Sequence, residues 1–94
     1  MSRAFVNEDA AQETEPRYDL PDLDAPYYEE AAAWALLEGA NAGNTRSAER
    51  ATGYRWGDPE LLVHVQRFLD EAERDGQARV AQLARRFLKA AASS

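Results

Sequence analysis

The chain has no cysteine, which excludes disulfide staples, thiolate metal sites and a cysteine nucleophile. It has one histidine, His64. No acid, metal partner or nucleophile is placed around it in sequence, so it reads as a histidine at the edge of an apolar helix face. No apolar run approaches the length of a membrane span, about 20 residues. The N-terminus lacks the basic region and apolar stretch of a secretory signal. The phosphate loop, the nucleophile elbow and the spaced ligands of a zinc site are also missing. Glycines bracket Gly53-Tyr54-Arg55-Trp56-Gly57, but no strand precedes them, so this is not a phosphate-cradling fingerprint. No catalytic, cofactor-binding or metal-ligating residue is therefore assigned. The expectation is a cytoplasmic protein with no membrane partner.

What is present is a short chain with an uneven charge. Its 94 residues allow one domain at most. If about 65 of them fold, the core is small, and self-association or a partner would help it. Residues 1–30 carry nine acids against two bases, a net of −7, whereas residues 31–94 carry a net of +1. The overall charge of −6 thus belongs to the N-terminal segment, and it argues against strong nonspecific DNA binding. From Gln77 onward there are bases, Arg79, Arg85, Arg86 and Lys89, and no acid.

Residues 1–25 are polar, acidic and punctuated by Pro16 and Pro21. Such a composition buries too little apolar surface to offset chain entropy, and predicts a disordered leader. Apolar residues stand among its acids: Phe5, Val6, Tyr18, Leu20 and Leu23. They suit either a partner's basic groove or an extended path for Tyr18–Leu23 over the chain's own helices. The opening Ser2-Arg3-Ala4-Phe5-Val6-Asn7-Glu8-Asp9 resembles the start of bacterial transcript-cleavage factors of the Gre type. That resemblance implies a link to the bacterial transcription machinery. It stops at the leader, because the body has neither a long antiparallel coiled coil nor an acidic pair at its tip.

Residues 26–94 read as an all-α body of four helices forming two packed αα-hairpins. The first helix is expected from Pro26 to Asn41, with Pro26 near its first position and Glu29 and Glu30 on the favourable side of its dipole. Its run Ala31-Ala32-Ala33-Trp34-Ala35-Leu36-Leu37 is apolar nearly all round, the pattern of a central buried helix. Its alanines permit close approach by a neighbour. The second helix spans Thr45–Thr52, with Ala48 and Ala51 inward and Gly53 as its left-handed stop. Asp58, Pro59 and Glu60 form the clearest helix start, as N-cap, preset first residue and first-turn acid. The third helix follows, with Leu61, Leu62, Val65, Phe68, Leu69 and Ala72 on one stripe and Val63 pointing away. The fourth runs from Gln77 to Ala92. Its inward face is Val80, Leu83, Ala84, Phe87 and Leu88, and its bases lie opposite.

The two hairpins also match each other at a 33-residue offset: Leu36 with Leu69, Glu38 with Glu71, Gly43 with Gly76, Arg46 with Arg79, Ala48 with Ala81, Ala51 with Ala84 and Tyr54 with Phe87. This period is similar to that of tetratricopeptide-type helical repeats. The chain departs from that family in the place of Trp34 and in having two copies where a solenoid needs about three.

Functional residues are sought among what the core does not require. Tyr54, Arg55 and Trp56 are residue types that dominate binding hot spots, and they lie in a connection between rigid elements. Aromatics in such a connection also commonly cover the end of a small core, which leaves Arg55 as the preferred contact. The carboxylates Glu29, Glu30, Asp70, Glu71 and Glu73 read as solvated helix faces. A helix-turn-helix over Ala48–Tyr54 would make the third helix the reader. That helix exposes three acids, Asp70, Glu71 and Glu73, against two bases, the wrong sign for a groove. The expected function is a non-enzymatic protein-interaction module, an adaptor or regulatory accessory protein of a bacterial-type cytoplasm. Its expected contacts are Tyr54, Arg55 and Trp56, with Arg79, Arg85, Arg86 and Lys89 as a second set. The partner is a protein, with self-association left open and nucleic acid disfavoured. The alternative is a transcription-associated factor using the leader on RNA polymerase, or the basic fourth helix on nucleic acid. A small enzyme or ligand carrier is a third class, since pocket residues can converge invisibly to sequence.

Overall fold

The structure, a computed structural model, describes residues 18 and 20–93. The expected disorder of the leader falls mostly on residues outside these. The described residues form helices α1 (Tyr28–Asn41), α2 (Thr45–Thr52), α3 (Leu62–Asp75) and α4 (Ala78–Ala92), with a 3-10 turn at Pro59–Leu61 before α3. No strand occurs among them. The closest pairings are α1 with α2 and α3 with α4, and α1 also packs on α3 and α4. The architecture is two αα-hairpins, with α1 at their junction.

Local chemistry explains each boundary. Pro26 does not start α1. Asp22–Tyr28 is taken up by successive turns, Ala25 N–H to Asp22 O and Tyr28 N–H to Ala25 O, so the helix begins two residues later than expected. Asp58 caps as expected, its Oδ1 accepting from Glu60 N–H at 3.0 Å. The segment it starts is first a 3-10 turn, and this changes which leucine is inside. Leu61 is fully buried, whereas Leu62, expected inward, is 36% exposed. Val63 points to solvent as expected.

The hairpins superimpose their burial patterns at the 33-residue offset. Tyr28 and Leu61, Ala32 and Val65, Ala35 and Phe68, Leu36 and Leu69, and Ala48 and Ala81 are buried in both copies. Gly43 and Gly76, which end the first helix of each copy, share φ of +74°. The difference between the copies is size. Where the second has Val65, Phe68 and Ala72, the first has Ala32, Ala35 and Gly39. The smaller set lets α2 lie very close to α1: a Cβ built on Gly39 would stand 2.6 Å from the Ala48 Cβ.

Two expectations for the first hairpin need correction. Ala51 is exposed, and Ser47 and Thr52 are buried beside Ala48. Thr52 is drawn inward by hydrogen bonds: its hydroxyl donates to Ala48 O at 2.8 Å and accepts from Tyr54 N–H at 3.1 Å. The buried Tyr28 hydroxyl donates to Thr52 O at 2.9 Å. Trp34, placed by its apolar surroundings in a helix buried all round, is 38% exposed. Neighbours cover α1 on every side but one, and Trp34 lies on that side. The path over the body expected for Tyr18–Leu23 is followed only in part, since Leu23 is 80% exposed. Tyr18 packs against the core, and Leu20 and Pro21 are half-buried.

Candidate functional site

The connection between α2 and the 3-10 turn is bound into the body. Gly53 stops α2 at φ +81°. Trp56 N–H then donates to Glu49 Oε2 at 2.8 Å, tying the loop back to the helix it has just left. The Trp56 ring meets Phe87 edge-on, with centroids 4.9 Å apart. Phe87 is fully buried, so Trp56 covers that end of the core. Tyr54 lies 6.4 Å from the Tyr28 ring, also against the core. Burial first, and then the carboxylates of Glu29, Glu60 and Asp58, raise the Tyr54 hydroxyl above the ordinary tyrosine range.

Gly57 completes the seam. It is buried, its φ is +83°, and a Cβ there would stand 3.0 Å from the Ala90 Cβ and 3.1 Å from the Ala91 nitrogen. Any side chain would push the loop off the last turns of α4. Arg55 is the exception in this connection. It is exposed, and its carbonyl accepts from Asp58 N–H at 3.0 Å, while its side chain has no hydrogen-bond or ion-pair partner among the described residues. It borders a shallow hollow with Glu49, Trp56 and Pro59.

The second expected set lies along α4, and all four bases are exposed. Two of them hold the fold together. Arg79 Nε donates to Asn41 Oδ1 at 2.8 Å, and its Nη1 donates to Gln82 Oε1 at 2.6 Å. Arg85 pairs with Glu73 of α3 at 2.8 Å. Arg86 and Lys89 have no ion-pair partner among the described residues.

Carboxylates that the sequence leaves as separate solvated faces are brought to bases across the α1–α3 seam. Glu29 Oε1 stands 3.4 Å from His64 Nε2. Glu30 pairs with Arg67, which also lies over the Phe68 ring, 5.6 Å from its centroid. No spacing signals these pairs, because Glu29 and His64 are 35 residues apart. Among the described residues no group of three or more His, Cys, Asp or Glu is placed to hold a metal ion.

The largest surface aromatics are elsewhere, on the open edge of α1. Tyr27 is 59% exposed and Trp34 38%. With Ala31, Glu30 and Phe68 they line a groove between α1 and α3. Trp34 meets Phe68 edge-on at a centroid distance of 5.2 Å. Its other side borders a second hollow lined by Leu37, Val80 and Leu83 and by the polar Glu38, Asn41 and Arg79. Trp34 is thus anchored at its base and open at its face. Residue-by-residue reading misses this edge because an apolar neighbourhood reads as burial. The available signal was spacing: Tyr27, Ala31 and Trp34 recur at four and three residues, the interval of one helix face.

Searches of known protein families, characterised proteins and solved structures return no match to this chain. Among the described residues, no helix is long and apolar enough to cross a membrane.

Proposed function

We propose that the protein is a non-enzymatic helical interaction module, an adaptor or regulatory accessory protein of a bacterial-type cytoplasm, and that it docks through the open edge of α1. The observation that carries this reading is Trp34. On a helix whose other faces are covered, it leaves 38% of its surface in solvent. Tryptophan and tyrosine are the residues most enriched at interface hot spots, where a rigid ring gives large contact area at small entropic cost. Arg67 and Glu30 beside them supply a polar rim of the kind interfaces carry. Tyr54 and Trp56 serve the seam in this reading, and Arg55 is a peripheral contact. Glu29 with His64, Glu30 with Arg67 and Glu73 with Arg85 are paired charges, which suits a binding surface better than a reaction centre.

Affinity capture from lysate, with bound proteins identified by mass spectrometry, tests the proposal. Wild type and Trp34→Ala are compared, with melting curves verifying that both fold. A protein captured by wild type and lost with Trp34→Ala is expected. Capture that is unaffected by Trp34→Ala refutes the α1 edge. The competing reading, a transcription-associated factor contacting nucleic acid through α4, draws on Arg86 and Lys89, which have no ion-pair partner among the described residues. It predicts salt-sensitive nucleic-acid binding. That binding should vanish when Arg79, Arg85, Arg86 and Lys89 are neutralised.

A further inference from the structure

Tyr18 is the one place among the described residues where a buried side-chain oxygen has no hydrogen-bond partner. Its ring packs against the core. Its hydroxyl lies where α1 and α2 come closest, 3.0 Å from the position a Gly39 Cβ would take. A buried hydroxyl without a partner forfeits its hydration and gains nothing in return. That cost is of the same order as the gain from burying part of an aromatic ring. Nothing polar adds to the attachment: among the described residues, Tyr18, Leu20 and Pro21 make no hydrogen bond to the body. Beyond them the segment stands off, with Asp22, Leu23 and Asp24 exposed.

We propose that Tyr18, Leu20 and Pro21 act as a latch, lifting from the α1–α2 junction and reseating on it while both hairpins stay folded. The attachment is apolar contact by partly buried side chains, weakened at its anchor by the unpaired hydroxyl. The hinge is already in place. Successive turns occupy Asp22–Tyr28. The chain is fixed again at Tyr28, which is buried and donates its hydroxyl to Thr52 O at 2.9 Å. The junction beneath does not need the strap to hold. Gly39 meets Ala48 directly, and Asn44 N–H donates to Gly39 O at 2.7 Å. Segments with few buried apolar contacts open at a free energy well below that of global unfolding. Seated, the strap buries the Tyr18 hydroxyl and half covers Leu20. Lifted, it presents Tyr18, Leu20 and Leu23 together as apolar residues among acids. The latch thus sets whether this acidic segment is held on the body or free to engage elsewhere, independently of what the α1 edge binds.

Chymotrypsin, which cuts after tyrosine and phenylalanine, tests this on the full chain under native conditions. Initial rates at each bond are read by mass spectrometry. The rate after residue 18 is divided by that of a free peptide of matching sequence, which removes the enzyme's own preference. Wild type should be cut after Tyr18 more slowly than the peptide, yet far faster than after the fully buried Phe87, which is reached only by global unfolding. Tyr18→Phe should be cut at least about fivefold more slowly than wild type, because its seated form has no unpaired hydroxyl. Leu20→Ala, which removes apolar contact and leaves the anchor in place, should move the rate toward that of its peptide. Cleavage after Tyr18 as fast as in the peptide would mean that no strap is seated. Cleavage as slow as after Phe87 would mean that the strap opens only with the body. A Tyr18→Phe chain cut as fast as wild type, or faster, would mean that the hydroxyl does not weaken the anchor. Each of these three results overturns the proposal.

Discussion

A methyl group placed on Gly39 tests the closest contact in the fold. The Cβ of Gly39→Ala would lie 2.6 Å from the Ala48 Cβ, 3.0 Å from the Tyr18 hydroxyl and 3.2 Å from Asn44 O. Carbon atoms pack comfortably at about 3.5–4.0 Å, so α1 and α2 must separate by about 1 Å. Neither side yields cheaply, because Ala48 carries its methyl on the backbone of a fully buried position. Overpacking of this kind costs about 1–3 kcal/mol. Replacing glycine with alanine inside a helix contributes about 1 kcal/mol in the opposite direction. The net expectation is a loss of up to about 2 kcal/mol, and in a domain of this size each kcal/mol lowers Tm by about 4–8 °C. Thermal and urea unfolding followed by circular dichroism measures it, with an unchanged m value as the sign that only stability has moved. The double variant Gly39→Ala, Ala48→Gly removes the opposing methyl, and should be less destabilised than the sum of the single variants. A rise in Tm for Gly39→Ala would mean that helix propensity dominates, and would refute the close approach of α1 and α2.

Three further outcomes follow from the seam and its loop. Gly57→Ala should cost more stability than Gly53→Ala in urea unfolding, because both have positive φ but only Gly57 faces atoms within 4 Å; equal losses would show that φ alone matters. Trp56→Ala should lower stability by about 2 kcal/mol or more through loss of the Phe87 contact, whereas Arg55→Ala should change it by less than about 0.5 kcal/mol; equal effects on melting would make Arg55 structural. Tyr54 has a raised folded-state pKa, so the fold favours its neutral form. The associated stability is present below the unfolded tyrosine pKa of about 10, and is lost as pH rises through the folded value. Wild type should therefore weaken more steeply at alkaline pH than Tyr54→Phe, and parallel stability–pH curves would refute that assignment.

Much of the fold was legible because it is written in short-range terms. Gly53 and Gly76 stop helices through their own left-handed backbone. Asp58 caps through a hydrogen bond two residues away. The 33-residue repeat survives into matched burial because each hairpin closes mostly on itself. Leu62 turns outward because a 3-10 turn rotates side chains differently from an α-turn, and the start signal Asp-Pro-Glu does not distinguish the two. The outward turn of Ala51 is not legible, because alanine carries no polar atom to reveal its direction, whereas the hydroxyl of Thr52 is directed by backbone groups that only the folded chain supplies.

The candidate site divides along the same line. An all-α chain in two hairpins, the charge split, the basic outer face of α4 and the singling out of Tyr54, Arg55 and Trp56 can all be read from the residues alone. Periodicity, capping and net charge are additive and local, so no coordinates are needed to read them. That Trp56 covers Phe87, that Glu29 and Glu30 meet His64 and Arg67, and that Tyr27 and Trp34 are left open emerge only on folding. Exposure is the outcome of which neighbours arrive. On α1 they arrive from every side but the one that carries Tyr27 and Trp34.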